Sequence, residues 1–136
     1  MAQFDRELIS NGTPMEVIVG FSRAVRVGPF MSVGGTAPVG PDGKTVGIGD
    51  VAVQTKCILE IIKAALEQAG SGMQDVVRTR IILTNIDDRK AAIDVRKDYF
   101  ADVRPVDTIM AVERFVNPEW LIEIEADAVI AGWPSS

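Results

Sequence analysis

The most regular alternation of apolar and polar residues runs over positions 120–130. The even-numbered residues of this segment are apolar, whereas Glu123, Glu125 and Asp127 stand at odd positions between them. Because successive side chains on a strand point to opposite faces, the pattern predicts a strand whose second face carries three acids, each ~7 Å from the next. A preceding strand is predicted over roughly Thr108–Arg114.

The remaining periodicities predict an α+β domain. Apolar residues at helical spacing predict a long helix over Val51–Ala69, with Asp50 as its N-cap. The order β-β-α-β-α-β-β favours one two-layer domain over residues 1–136, with both helices on one face of a mostly antiparallel sheet. The other predicted strands are Val17–Val19, Phe21–Val27, Phe30–Val33 and Asp75–Thr84, and the second predicted helix is Asp88–Phe100, after candidate caps at Asn85 and Asp87.

The sheet face without helices is predicted to carry paired charges. Arg78 and Arg80 share this face of one strand, so they can form ion pairs with the acids of the last strand if the two strands are neighbours. A structural ion ladder is the simpler interpretation for Glu125 and Asp127, whereas Glu123 is also a candidate for function. The same face is expected to carry apolar side chains that association of subunits would cover, namely Val76, Ile82 and Leu121.

Two adjacent glycines, Gly34 and Gly35, follow the predicted strand Phe30–Val33. Glycine within a strand marks either a β-bulge or a close approach of the backbone to another group. Both interpretations are open at this stage.

Composition narrows the classes of function. A chain of 136 residues with 47% hydrophobic and 24% charged residues is ordinary for one globular domain. Its net charge of -5 argues against a nucleic-acid partner, which attracts basic surfaces. The chain has no histidine and a single cysteine, Cys57, which removes histidine catalysis, a disulfide framework and most zinc or iron sites. We therefore expect no metal and no cofactor.

The distribution of apolar and charged residues also bears on where in the cell the protein is expected. No apolar run approaches the ~20 residues of a membrane span, so no membrane partner is expected. The first 20 residues contain acids in place of a basic leader and lack an apolar core, which argues against a signal peptide. With one cysteine inside a predicted helix, we expect a reducing compartment and a cytoplasmic protein.

Six segments together carry a resemblance to a known family. They are Gly20–Gly28, Val33–Gly35, Asp75–Arg78, Leu83–Asp88, Arg104-Pro105 and Leu121–Ala126. In this order and spacing they resemble the reactive intermediate deaminase family, also called Rid or YjgF and formerly endoribonuclease L-PSP. The resemblance implies a chorismate-mutase-like fold and a homotrimer with a small-molecule cleft between each pair of subunits. It also implies hydrolysis of enamines or imines to ketones and ammonia.

The resemblance also implies candidate site residues. Glu123 matches a glutamate that helps to position the attacking water. Asp107 stands where active members carry an arginine that clamps the substrate carboxylate. The candidate substrate-binding residues are Phe21, Gly34, Gly35, Asp87 and Ile109, the last of which stands where a cysteine is often found.

An aspartate at the clamp position changes the expected substrate. At ~4 Å and an effective dielectric constant of ~20, an attraction for a carboxylate of about 4 kcal/mol becomes a repulsion of similar size. The usual 2-imino acids are therefore not expected to bind in the usual way. If Asp107 and Glu123 face each other across the cleft, they form a candidate acid and base pair for a neutral or cationic substrate. A solvated Asp107 at a degenerate site is the alternative.

Two classes of function follow. One is a hydrolase or deaminase that acts on an imine, an enamine or another amine-bearing small molecule. The other is a non-catalytic homotrimer that binds a small metabolite or has a regulatory role. Endoribonuclease activity is the least favoured, because the chain is acidic and has no histidine.

Overall fold

The computed structural model describes residues 5–132. Six strands and three α-helices follow one another along this part of the chain. Their bounds are β1 Arg6–Ile9, α1 Met15–Val19, β2 Ala24–Val27, β3 Phe30–Thr36, α2 Val51–Gln68, β4 Val76–Leu83, α3 Arg89–Phe100, β5 Val106–Ala111 and β6 Ile122–Val129. Short 3-10 turns at Met73–Asp75 and Ile86–Asp88 precede β4 and α3.

The strands form one sheet in the order β1-β2-β3-β6-β4-β5. All neighbouring strands are antiparallel except β4 and β5, which are parallel. The helices α2 and α3 pack together and cover one face of the sheet. The two-layer α+β architecture expected from the sequence is therefore confirmed.

The hydrophobic core lies between the helices and the sheet. The alternation of β6 is realised as predicted, since Ile122, Ile124 and Ala128 are fully buried while the acids between them are half-buried. Asp50 caps α2 by accepting a hydrogen bond from the Val53 amide at 3.1 Å. Four residues at helical spacing, Ile58, Leu59, Ile62 and Leu66, complete the core from α2 with no exposed surface.

One predicted strand is a helix. The segment Val17–Val19 belongs to α1, although its β-branched residues favour a strand. The carboxylate of Glu16 holds the turn by accepting hydrogen bonds from the amide and the hydroxyl of Thr13, both at 3.0 Å. Gly20, at φ 88°, then ends the helix in the left-handed region that suits glycine. Strand β1 was not predicted, because only Ile9 of its four residues is buried and no alternation marks it.

Two strand details also differ from expectation. A register shift between Val76 and Arg78 buries Val76 and exposes Val77, so Val76 does not lie on the face without helices. β5 spans Val106–Ala111 rather than Thr108–Arg114, because it pairs with β4 from Arg78 to Leu83 and ends where β4 ends.

The sheet face that lacks helices is called the open face below and is defined by Arg80, Ile82, Glu123, Glu125 and Asp127. β4 and β6 are neighbours, as the ion ladder requires, and Arg80 lies opposite Glu125. The Arg80 guanidinium lies 3.2 Å from the Glu125 carboxylate and 4.0 Å from that of Asp127. The ladder is therefore confirmed at Arg80, which lies within ion-pair distance of both Glu125 and Asp127. Its side chains are 37%, 36% and 22% exposed, so it is not a buried pair within one chain.

Candidate functional site

Glu123 occupies a notch in the open face. It lies on β6 opposite Ile82 of β4 and close to the end of β3. Its Oε1 atom lies 2.8 Å from the point where a Cβ atom on Gly35 would stand, which is closer than a side chain there would allow. The half-buried carboxylate therefore depends on a glycine at position 35.

The notch is produced by a β-bulge. Between two paired positions, β3 advances from Val33 to Thr36 while β6 advances only from Ala126 to Ile124. The extra residue on β3 falls in the glycine pair, which bends the strand away from the regular ladder. Both interpretations of Gly34 and Gly35 are thus confirmed, since the bulge is present and Gly35 is approached closely by another group.

Arg23 supports the bulge from behind. Its Nη1 atom donates hydrogen bonds to the carbonyl of Gly35 at 2.7 Å, to the hydroxyl of Thr36 at 2.8 Å and to the carbonyl of Gly34 at 3.4 Å. The residue is only 9% exposed, and its Nε atom is buried without a partner in the described part of the chain. Sequence reasoning gave Arg23 no role. An arginine among the apolar residues of a predicted strand was the available signal.

Phe21 and Glu16 complete the surroundings of Arg23. The centroid of the Phe21 ring lies 5.8 Å from the guanidinium carbon, within the range of a cation–π contact. Phe21 is 39% exposed, so its ring borders the site on the solvent side. Glu16 is 7% exposed, and its charge acts on Arg23 from α1. The charges of two carboxylates, those of Glu16 and Glu123, therefore act on Arg23.

The electrostatics of the notch favour a carboxyl group that exchanges a proton easily. Burial raises the pKa of Glu123, the positive charge of Arg23 lowers that pKa in part, and the negative charge of Glu125 raises it further. The net direction is upward. A glutamate with a raised pKa can accept and return a proton nearer to neutral pH than an ordinary surface glutamate.

Asp107 lies on the opposite face of the sheet. It pairs with Thr79 on β4, and the Thr79 hydroxyl donates a 2.7 Å hydrogen bond to its carboxylate on the side of the helices. Glu123 is the cross-strand partner of Ile82, as Asp107 is of Thr79. Thr79 and Ile82 are an odd number of residues apart on β4, so their side chains point to opposite faces of the sheet, and the same holds for Asp107 and Glu123. Within one chain the two carboxylates therefore do not face each other, and the hypothesis that they face each other across a cleft between subunits stays a prediction.

Arg96 compensates the charge of Asp107. The Arg96 Nε atom lies 3.6 Å from the Asp107 carboxylate and donates a 2.9 Å hydrogen bond to the Thr79 hydroxyl, while Nη2 bonds the Pro105 carbonyl at 3.3 Å. The side chains of Arg96 and Asp107 are 15% and 21% exposed. Asp107 is thus not an uncompensated charge, but part of a polar cluster that ties α3 to β4 and β5.

The other two candidate residues lie outside the notch. Ile109 shares the helix side of β5 with Asp107 and packs against the hydrophobic core. Asp87 lies in the 3-10 turn after β4 with its side chain 86% exposed, and its carboxylate lies 3.9 Å from Arg89. The structure therefore brings together Phe21, Gly34, Gly35 and Glu123, with Arg23 as an unforeseen member.

Residues 5–132 contain neither a candidate metal-binding cluster nor a candidate membrane-spanning helix. Within residues 5–132, no three or more histidine, cysteine, aspartate or glutamate side chains are grouped so that they could hold a metal ion. No helix of this same range is long and apolar enough to cross a membrane.

Comparison with known proteins gives consistent matches over nearly the whole chain. The family described as "Endoribonuclease L-PSP" matches residues 12–130. A RutC family protein of Pyrococcus abyssi is 34% identical over 123 residues, which are 90% of this chain and 96% of that protein. A protein of Acinetobacter baylyi named 3-aminoacrylate deaminase RutC is 32% identical over 121 residues, which are 89% of this chain and 94% of that protein.

Solved structures share the same architecture. A Mycobacterium tuberculosis member of the YjgF/YER057c/UK114 family superposes with a TM-score of 0.84 at 40% identity, covering 93% of this chain and 100% of that one. The YjgF gene product of E. coli superposes with a TM-score of 0.74 at 26% identity, covering 90% and 91% of the two chains.

Proposed function

The chain belongs to the endoribonuclease L-PSP family, also called Rid or YjgF, and on this premise we propose that it releases ammonia from a small imine or enamine by hydrolysis. The observation that carries the proposal is the Glu123 carboxylate, which lies in the notch at Gly35 with a pKa raised by burial. Catalysis by positioned proton transfer requires such a group within reach of a water molecule.

The proposed reaction needs one proton shuttle. The imine reacts in its protonated form, the iminium ion. A water molecule adds through its oxygen to the iminium carbon as the C=N π bond becomes the nitrogen lone pair, and Glu123 accepts the proton that the water loses, which gives a neutral carbinolamine. Glu123 then returns this proton to the nitrogen, the C–N bond breaks with its electron pair leaving on ammonia, and the hydroxyl group gives its proton to Glu123 as the carbonyl forms. Iminium ion and water thus give ketone, ammonia and one proton, which Glu123 passes to the ammonia or to solvent, with no other reactant. An enamine enters the same sequence after protonation of its carbon gives the iminium ion.

We propose that the working form is a homotrimer whose clefts lie between subunits. Support comes from the open face, where apolar side chains remain uncovered beside the Arg80 ladder. Phe30 is 45%, Val106 59%, Met110 38% and Val129 44% exposed. Covering such a face with a second copy would remove apolar surface from water, which favours association. Phe21 and the glycine pair would line the cleft as the substrate-binding surface.

The proposed substrate is neutral or cationic rather than a 2-imino acid. The clamp position carries Asp107, and the nearby Arg96 guanidinium is turned inward toward Thr79 and the Pro105 carbonyl. Neither residue offers the outward fork of donors that a substrate carboxylate requires. The relative from Acinetobacter baylyi is named for 3-aminoacrylate, an enamine that carries a carboxylate, so this chain would share the reaction class and differ in substrate choice.

The second candidate is a non-catalytic homotrimer that binds a small metabolite. It is favoured by the contacts of Asp107, which is held by Thr79 and Arg96 in a structural role where an active site would need a free group. This candidate retains the cleft and the notch but assigns no proton transfer to Glu123.

Ammonia release from a panel of neutral, cationic and anionic imines, generated in situ, tests the proposal. Turnover above the uncatalysed rate with the neutral or cationic members, and its loss in Glu123→Gln, would support it. Glu67→Gln is the control: Glu67 is an exposed glutamate near the end of α2, so the variant should retain turnover. Ligands that raise the melting temperature of the protein without turnover of any panel member would favour the second candidate.

A further inference from the structure

Gly35 links two charged side chains on opposite sides of its backbone. Its carbonyl oxygen accepts a 2.7 Å hydrogen bond from Arg23 Nη1. The point where its missing Cβ atom would stand lies 2.8 Å from Glu123 Oε1. A displacement of this backbone therefore changes the space available to the carboxylate.

We propose that Arg23 is a positioning residue that acts on Glu123 through Gly35, by fixing the bulged backbone that shapes the notch. The inference deepens the proposed hydrolysis and rests on it, because it assigns Arg23 a part in setting the proton-transfer group. Arg23 does not itself touch the substrate in this scheme, since it is almost fully buried.

The hydrogen bonds of Arg23 suit this task. All three that hold the bulge pass through one nitrogen and reach three consecutive residues, Gly34, Gly35 and Thr36. A bulge containing two glycines has many backbone conformations available, because glycine restricts φ and ψ least. Three bonds to a single rigid guanidinium select one of them. The buried Nε atom without a partner is unfavourable, so an apolar side chain would serve better if this position only filled space.

The positive charge of Arg23 also keeps Glu123 available as a proton acceptor, because it lowers the pKa of that carboxyl. Around Glu123 the structure places Arg23 across the bulge, Glu125 two residues along β6, and Arg80 on β4, which is engaged with Glu125 and Asp127. The charge of Glu16 on α1 also acts on Arg23. Arg23 thus opposes the effects of burial and of Glu125, both of which favour the protonated carboxyl. Without Arg23, Glu123 would be protonated over a wider range of pH and could accept a proton only at higher pH.

Carbon NMR titration of the Glu123 carboxyl in the ligand-free protein tests the inference. In Arg23→Gln we expect the titration midpoint of Glu123 to move to higher pH and the amide resonances of Gly34 and Gly35 to shift. Arg26→Gln is the matched control: Arg26 lies on the same segment but bonds the carbonyls of Gly28 and Ala69, away from the notch. It should leave the midpoint unchanged.

Arg23→Lys provides a second variant if Arg23→Gln does not fold. A lysine keeps the charge but cannot hold three acceptors with one planar group, so the glycine resonances should shift and the midpoint should still depart from that of the unmodified protein, because the backbone of the notch is no longer fixed. Glycine resonances that stay in place in either folded variant, or a midpoint that stays in place in Arg23→Lys, would overturn the inference. The titration needs no substrate, so a shifted midpoint without turnover would sink the proposed hydrolysis and leave the coupling intact. If turnover exists, Arg23→Gln should reduce it by roughly a hundredfold, as expected for a misplaced catalytic group, and shift its pH profile upward.

Discussion

The Glu123 carboxylate fills the space that a side chain at Gly35 would occupy, with Glu123 Oε1 2.8 Å from the position of the absent Cβ atom. The contact explains why the bulge of β3 and the acid row of β6 form one site. The acid supplies the chemistry, and the glycine supplies the room for it on an otherwise close-packed strand pair.

Gly35→Ala should therefore disturb Glu123 without unfolding the protein. The new methyl group would meet the far end of a flexible side chain, which can rotate away, so we expect a change in the free energy of unfolding of less than about 1 kcal/mol. The displaced carboxylate should titrate at a different pH and should lose its ability to support turnover. Denaturant unfolding and the NMR titration of Glu123 measure the two effects.

Gly34→Ala is the matched control for that substitution. A Cβ atom at Gly34 would meet only the carbonyl oxygens of Arg23 at 3.8 Å and Ser22 at 4.0 Å, which are ordinary contacts. Its stability should change as little as that of Gly35→Ala, but the Glu123 titration should stay as it is in the unmodified protein. Equal shifts of the titration in both variants would mean that the bulge as a whole, and not the contact at Gly35, sets the environment of Glu123.

The stability of the fold should depend on pH through Glu123. Its folded-state pKa is raised, with burial as the main cause, so the folded state binds this proton more tightly than the unfolded chain does. The resulting stabilisation is present at low pH and is lost as the pH rises from the ordinary pKa of glutamate through the raised one. Glu123→Gln removes this loss because the amide cannot ionise.

We therefore expect the free energy of unfolding of Glu123→Gln, relative to the unmodified protein, to increase across that pH window. Denaturant titrations at several pH values measure it. Glu125→Gln offers the contrast, because it breaks the ion pair with Arg80 and should lower stability at neutral pH. A constant difference between Glu123→Gln and the unmodified protein at every pH would contradict the raised pKa.

Sequence patterns predicted the parts of this fold that depend on local periodicity. The alternation of β6 and the cap of α2 at Asp50 were recognised because each depends only on residues that are close together in the sequence. The helix at Val17–Val19 was missed because the Glu16 side chain overrides a β-branched run. The role of Arg23 was missed because it depends on a backbone eleven or more residues away.

The orientation of Asp107 shows a second limit. A match to a family motif identifies which residue occupies a position, but it does not identify the residues that bind its side chain. Here Thr79 on the neighbouring strand and Arg96 on α3 hold the carboxylate on the side of the helices. Both partners are distant in sequence, and neither would be suspected from the segment around Asp107 alone.

Association of subunits should be detectable directly. The Arg80 ladder and the apolar side chains beside it are exposed in the single chain, and a trimer would cover them. Light scattering should give about three times the chain mass of 14.7 kDa, and the melting temperature should rise with protein concentration. Arg80→Ala should weaken the trimer more than it weakens the chain, since an ion pair with this much solvent exposure contributes at most about 1 kcal/mol to stability. A mass near that of one chain would refute the proposal.

The last prediction concerns catalysis at the clamp position. The unmodified protein should show negligible ammonia release from 2-iminopropionate, because no outward guanidinium is available for its carboxylate. The simplest attempt to restore a clamp is Asp107→Arg, and we expect this single variant to be destabilised and to gain no activity. The variant would remove the acceptor of the Thr79 hydroxyl and would bring a second guanidinium beside Arg96, with a loss of about 2–3 kcal/mol in the free energy of unfolding.

Asp107→Asn separates the two causes of that loss. The amide oxygen can still accept from Thr79, while the ion pair with Arg96 is lost, so the loss should be only about 1 kcal/mol. The double variant Asp107→Arg with Arg96→Gln removes the repulsion and frees the new arginine to turn outward. It should recover part of the stability and be the first of these proteins to release ammonia from 2-iminopropionate at a measurable rate. Turnover of that substrate by the unmodified protein would instead show that carboxylate recognition here does not depend on position 107.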